Sequence, residues 1–539
     1  MRRISLLLLT LAACTAPPPP ADEPPDLSAQ RLLDDIEVLA SDEYRGRAPG
    51  SPGEEKTVAY LETKFREMGL APGNPDGTYV QNVPLVGITA TEDSRVSLLR
   101  AGKAEPLVSG MDYVAWTKRV VEDVAVEGEL VFVGYGVVAP EYQWDDYKDV
   151  DLRGKVLVML VNDPPAEGKF GGDAMTYYGR WTYKYEIAAQ KGAAAAFIVH
   201  ETGPAGYPWE VVTGSWAGEQ FDLVSEDKNR GRVGVEGWFS IERARSLFER
   251  AGLDLAREKE KAGTADFRPT PLGVTLRANV RNELRTVESR NVVARLAGTE
   301  APDESVVYMA HWDHLGTLPG LEGDNIFNGA YDNATGIAGL LELGRAFSSL
   351  ESKPRRSLLF LAVTAEEQGL LGSRYYAENP LYPPEKTVAA INMDGLNVWG
   401  RTRDVTVIGL GQSSLDELAR KVAREQGRVL VPDAEPEKGF YYRSDHFELA
   451  KVGIPAFYCD AGIDFPGKPP GWGRGERERY VAEDYHKPSD EVKEWWDLSG
   501  AVQDLELLYA MGRELAASEL WPEWSSGSEF RSVREASRE

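Results

Sequence analysis

Four of the five histidines fall in the second half of the chain, each beside residues that bind metal ions or move protons. Met309-Ala310-His311-Trp312-Asp313-His314 follows an apolar, β-rich run. Gly329-Ala330-Tyr331-Asp332-Asn333-Ala334-Thr335-Gly336 lies just before a helical pattern. Thr364-Ala365-Glu366-Glu367-Gln368-Gly369 and Asn392-Met393-Asp394-Gly395 each follow a further strand-like run, and Tyr485-His486-Lys487-Pro488-Ser489-Asp490 adds an imidazole from a late loop. Two imidazoles with three carboxylates suit two zinc-like ions that share one carboxylate. Such a pair, ~3.5–4 Å apart, activates a water and polarises the carbonyl it attacks. Adjacent glutamates allow one to bind metal while its neighbour handles protons. Alone, an acidic pair after a strand reads as a solvated helix start, and a strand-end histidine as a hydrogen-bonded structural residue. Five such fragments in order, mostly at consecutive strand ends, do not.

The elements that must carry these residues alternate. Val306–Ala310, Leu358–Val363, Val388–Met393, Val405–Ile408 and Ala456–Cys459 are buried-strand candidates. Helices are expected at Thr335–Phe347, Leu415–Glu425 and Ser499–Ala517. Strands separated by helices predict an α/β fold whose mainly parallel mixed sheet is flanked by helices. Ligands of open α/β sheets bind beyond the carboxyl ends of the strands, so one rim would collect His311, Glu366, Glu367 and Asp394. Nearer the N-terminus, Ser51-Pro52-Gly53-Glu54 places a capping serine, a proline at the first helical position and a glutamate three residues on, starting a helix that Gly69 ends. From about residue 89 to 278 the texture is short strands and glycine turns, with a helix at Lys184–Lys191 and no cluster of metal ligands. The tail from Trp521 is polar and expected to fray.

The 539 residues carry a net charge of −26, which excludes nucleic acid as a partner because nothing neutralises phosphates. Cys14 and Cys459 are the only cysteines, so neither a disulfide scaffold nor a zinc ribbon is available. Arg2 and Arg3 precede the apolar run Leu6 to Leu11, far short of the ~20 residues that span a bilayer, so it reads as a signal segment. Leu11-Ala12-Ala13-Cys14 is similar to a bacterial lipobox, and Pro17 to Pro20 begin an extended tether. The expectation is an exported cell-envelope lipoprotein (periplasmic or outer-membrane if the host has such a membrane), held to the membrane only by a lipid on Cys14.

The ordered motifs resemble the co-catalytic di-zinc aminopeptidase family that also contains glutamate carboxypeptidase, glutaminyl cyclase and transferrin receptor. The resemblance runs from about 288 to 500. Residues 89–278 resemble the β-rich protease-associated insert of many members, with Gly154-Lys155-Val156-Leu157-Val158 and Gln190-Lys191-Gly192-Ala193-Ala194-Ala195 as the matching phrases. The implied organisation is a signal peptide at 1–13, a lipidated tether at 14–25, peptidase parts at 26–88 and 279–520 around the insert, and a tail at 521–539. The resemblance implies two zinc ions, one held by His311, Asp332 and Asp394 and the other by Asp332, Glu367 and His486. It makes Glu366 the general base and Asp313 the residue orienting His311 through its other ring nitrogen. It allows a cis peptide at Asn333. Tyr441-Tyr442-Arg443-Ser444-Asp445-His446 also matches a family phrase. It would line the cleft, with Tyr441 or Tyr442 bonding the developing oxyanion and Asp445 and His446 beside the substrate.

The leading expectation is an aminopeptidase acting on peptides. A glutamate carboxypeptidase-like enzyme is the alternative and needs a cation for a free carboxylate, for which Arg401, Arg403 and Arg443 are candidates. Glutaminyl cyclisation fits less well, and a receptor-like binding protein would have lost the metal ligands retained here. The insert is expected to overhang the cleft without supplying ligands, with Trp181, Tyr183, Trp209 and Trp216 mainly in its core. For the N-terminus, a Cys14→Ser chain should lose its partition into the detergent phase. Undiminished membrane association of that variant would remove the lipoprotein reading.

Overall fold

The computed structural model describes residues 26–538 apart from positions 101, 167, 171, 173 and 217. The signal, lipobox and tether expectations at 1–25 lie outside the described residues.

At the centre of the main sheet, Arg356–Val363, Ala301–His311, Thr387–Asn392 and Ala456–Asp460 run parallel in that spatial order. Every residue of Arg356–Val363, Thr387–Asn392 and Ala456–Asp460 is buried, the signature of strands covered on both faces. Alternate side chains of each strand serve opposite layers. Tyr308 and Ala310 face one core with Leu340, Leu505 and Met511 from the helices Thr335–Ser348 and Ser499–Ala517. Val307 and Met309 face the other, with Tyr376 and Leu449. Antiparallel strands flank the parallel centre: Thr270–Leu296 beside Arg356–Val363, and Asp404–Ile408 beside Ala456–Asp460. The edge strand Val429–Pro432, absent from the sequence expectations, completes one side.

The helix Pro52–Glu67 starts where the sequence signals placed it. Ser51 Oγ accepts from the amides of Gly53 and Glu54, a cap that contributes about 1 kcal/mol.

Residues between the two halves form their own sheet and core. Its strands lie in the order Arg95–Arg100, Thr270–Leu296, Asp123–Phe132, Val156–Leu160, Ala195–Val199, Val235–Phe239 and Tyr113–Trp116. The 27-residue strand Thr270–Leu296 belongs to both sheets, pairing with Asp123–Phe132 in its first half and with Val80–Ala90 in its second. A boundary at 278/279 therefore cuts an unbroken strand, because continuous ladder hydrogen bonds make one rod of the junction. The chain leaves the main sheet at Ala90 and returns at Asn282, which are register partners. The insert also gives one strand back: Gln220–Leu223 pairs with Val80–Ala90 at the main sheet's edge.

The tail corrects an expectation. Trp524 and Phe530 are buried in an apolar cluster with Tyr441 and Phe447, and the indole of Trp524 donates to the Gly453 carbonyl. Arg531–Arg538 is helical, and the Arg534 guanidinium donates to the carbonyls of Pro384 and Thr387. Two buried aromatics and the Arg534 hydrogen bonds anchor it. Among the described residues no helix is long and apolar enough to cross a membrane.

Candidate active site

His311 ends its strand, and the loops after the two neighbouring parallel strands bring Glu366, Glu367 and Asp394 to the same rim. Asp332 is the hub. Its Oδ1 lies 3.3 Å from His311 Nε2 and its Oδ2 3.4 Å from His486 Nε2. Asp394 Oδ1 is 3.2 Å from His311 Nε2, and Glu367 Oε2 is 3.0 Å from His486 Nε2. Two donor trios thus share one carboxylate. Glu366 belongs to neither: its Oε2 stands 3.9 Å from His311 Nε2 and it lines both cavities that meet here.

Asp332 stays where it is because three neighbours hold its loop. Asp490 accepts from the amides of Tyr331 and Asp332 at 3.0 and 3.1 Å. Asn333 Oδ1 accepts from Gly336 N and Gly395 N, and its Nδ2 donates to Met393 O. One side chain therefore ties the Asp332 loop to the Asp394 loop with two of its three buried hydrogen bonds, each a net gain of about 0.5–1.5 kcal/mol. The Asp332–Asn333 peptide is cis. Gly329 has φ +56°, and a Cβ there would sit 2.2 Å from the Asp332 carbonyl and 2.5 Å from the His314 ring, so no side chain fits. The buried Arg47 guanidinium donates to the carbonyls of Leu39, Trp312, Asn328 and Gly329, joining the N-terminal helices to two site loops.

Asp313 stands at the other ring nitrogen of His311, but with its main chain nearer than its side chain. His311 Nδ1 meets the main-chain carbonyl of Asp313 at 3.2 Å, while the nearer carboxylate oxygen is 3.9 Å away. That carboxylate instead accepts from the amides of Glu366 and Glu367 at 3.0 and 3.4 Å, fixing the turn that presents both glutamates. His314 is an addition to the expected set. Its Nδ1 lies 2.5 Å from Glu367 Oε1, so that Glu367 is gripped by one imidazole on each oxygen. Among the described residues, His314, Asp332 and Glu367 also form one of two donor groupings compatible with a metal ion, the other being His311, Asp332 and Asp394.

The electrostatics separate the two glutamates. Burial opposes ionisation of Asp332, yet hydrogen bonds from His311 and His486 hold it well below the usual carboxylate range. Burial likewise works against Glu367, but the charge of His486 and the contact with His314 bring it to about 2. Glu366 goes the other way: burial raises it well above the usual range, helped by Asp394 and Glu367 and only partly countered by His311. Despite their burial, the carboxylates push His486 up to about 10 and His311 well above its ordinary value. The donor set fits the implied zinc ions: nitrogen and oxygen ligands in two trios, rich in buried negative charge that cations would balance.

The remaining expectations divide. Tyr441 is packed in the apolar cluster with Trp524 and Phe530 and lines neither cavity. Tyr442 reaches the cavity wall, but its hydroxyl donates to Glu529 at 3.1 Å. Asp445 accepts from Ser373 Oγ and is buried, which raises it to about 7. The ring of His446 is buried against Tyr441 and Tyr458 with no hydrogen-bond partner on either nitrogen. The phrase thus divides: Tyr442, Arg443 and Ser444 line the cavities, while Tyr441, Asp445 and His446 are buried beside them. The tyrosines bordering the donor trios are Tyr331, Tyr458, Tyr480 and Tyr485. From the insert, Trp181 and Trp216 line the larger cavity, while Tyr183 is core and Trp209 donates to Gly110 O.

Residues 291–510 match the model of peptidase family M28. Aminopeptidase NAALADL1 of Mus musculus is 36% identical over 129 residues, covering 23% of this chain and 16% of that protein. A probable zinc metalloprotease of Pyrenophora teres f. teres is 38% identical over 109 residues, 20% of this chain and 23% of that protein. The matched stretches thus span under a quarter of these relatives. An aminopeptidase from Aneurinibacillus sp. strain AM-1 shares the fold, with a TM-score of 0.54 at 21% identity over 91% of this chain and 94% of that one.

The corrected place of His446 has a measurable consequence. Burial lowers its pKa to about 3. Between about pH 6.5 and 3 the unfolded chain binds a proton there that the folded chain refuses, so acidification should cost up to ~1.4 kcal/mol of stability per pH unit. His446→Phe should flatten the fall in the urea midpoint between pH 7 and 5. An unchanged slope would mean the imidazole is charged in the folded protein.

Proposed function

We propose that the chain is a metal-dependent exopeptidase, an aminopeptidase that releases N-terminal residues from peptides with two zinc ions. The observation that carries this reading is Asp332, with one oxygen towards each histidine, and Glu366 left outside both trios at the cavity wall. His311, Asp332 and Asp394 would hold one zinc, and Asp332, Glu367 and His486 the other. When bound, such a pair lowers the pKa of water and polarises the scissile carbonyl. Glu366, with its raised proton affinity, takes the proton of the attacking water and returns it to the leaving amine. Asp313 fixes both glutamates through their amides, and His314 holds Glu367 in its ligand position. Glu366→Gln should keep both metals and lose roughly 10²–10⁴-fold in turnover, whereas Glu367→Ala should deplete one metal. Metal loss in Glu366→Gln with full loading of Glu367→Ala would reverse the roles.

The glutamate carboxypeptidase-like reading has its own observation. Arg443 and, from the insert, Arg180 line the cavity with Glu366 and His486, and the Nε atom of each is buried without a hydrogen-bond partner. Burial, then the nearby Arg443, lowers Arg180 to about 10. Arg401 and Arg403 line neither cavity, and Arg403 pairs with Asp464 at 2.8 Å. Blocked peptides separate the two readings. An aminopeptidase cleaves peptides with a free N-terminus and loses them on acetylation. Cleavage of N-acetylated dipeptides that is abolished by C-terminal amidation and by Arg180→Met would favour the carboxypeptidase.

A further inference from the structure

We infer that the insert is part of the metal centre, because Ser215 positions the imidazole of His486. This rests on the reading of His486 as a metal ligand. Ser215 lies on the helix Trp209–Trp216, and its Oγ is 3.1 Å from His486 Nδ1. Nε2 of the same ring faces Glu367 and Asp332, so a ring that ligates through Nε2 carries its proton on Nδ1 and donates it to the Ser215 oxygen. That bond fixes the tautomer and the rotation of the ring together. The loop alone gives weak control: His486 has φ +56°, and beyond its neighbour Tyr485, whose ring stacks on it at 3.9 Å, the contact within reach of Nδ1 comes from the insert.

The helix bearing Ser215 is itself anchored. The Trp216 ring stacks on Trp116 at 3.9 Å, and Gln220 Nε2 donates to the Ser215 carbonyl at 3.0 Å. Gln220 opens the strand that the insert gives to the main sheet, and the amide of the next residue, Phe221, donates to Gln368 Oε1 at 3.0 Å. Gln368 directly follows Glu367. One short stretch of the insert therefore braces both the His486 side and the Glu367 side of the same metal trio. Ser215 is a positioning residue, since it would act on the metal through His486.

The test is zinc affinity of the full chain, measured with Zn²⁺ alone against a competing chelator. Ser215→Ala should weaken one of two sites roughly 10–100-fold and leave the other unchanged, and Ser215→Thr should restore it. Thr213→Ala removes a hydroxyl from the same helix that bonds only to its own backbone at Glu210, and should change neither site. Two sites of unaltered affinity in Ser215→Ala, or equal weakening in Thr213→Ala, would overturn the positioning role. His486→Ala keeps the two levels apart. If it loses one zinc while Ser215→Ala loses none, only the role of Ser215 fails. If it keeps both, the ligand assignment fails and the inference with it.

Discussion

The site is organised around a concentration of negative charge that the fold cannot leave unbalanced. Asp313, Asp332, Glu366, Glu367 and Asp394 share one buried rim, and Asp332 stands between two imidazoles with an oxygen for each. Isolated carboxylates in such a place would be neutralised by protons. Here the surroundings sort them: histidine hydrogen bonds and charge hold Asp332 and Glu367 low, while burial raises Glu366 and His311 only partly counters it. The hydrogen bonds of the carboxylates thus match the proposed division between metal ligands and base. Arg47, Asn333 and Asp490 serve that arrangement by pinning the loops on which it stands.

The insert changes how the cleft must be regarded. It shares the strand Thr270–Leu296 with the main sheet, returns Gln220–Leu223 to that sheet, and lines the cavity with Arg180, Trp181 and Trp216. With strands in common at two places, it is built into the peptidase fold. A large swing of the insert would have to break ladder hydrogen bonds in the main sheet. Access to the site is therefore governed by the shape of a braced cavity.

Much of this was legible in the sequence. The strand-end positions of His311, Glu366, Glu367 and Asp394 follow from unbroken apolar runs that can only be buried strands, and the cap at Ser51 from local chemistry. What was missed depends on distance in the chain. Arg47 gains its meaning from carbonyls more than two hundred residues away, and Arg180 and Ser215 from a cavity that exists only after the insert has folded back. Asp490 and His314 were visible inside quoted motifs, but nothing local says that one cradles the Asp332 amide and the other Glu367. The phrase from Tyr441 to His446 was only partly readable: Arg443 and Ser444 reach the cavities, but Tyr441 packs against the tail, which composition alone marked as loose.

The central claim is that Asp332 is shared by two metal ions, and metal analysis of an Asp332→Asn chain tests it most directly. The unaltered protein should bind two equivalents of zinc. Losing the shared carboxylate should empty both sites together, with the fold retained because Asp490 and Asn333 hold the loop through backbone groups. A variant that kept one zinc at unaltered affinity would contradict the account, since the two trios would then not depend on one carboxylate.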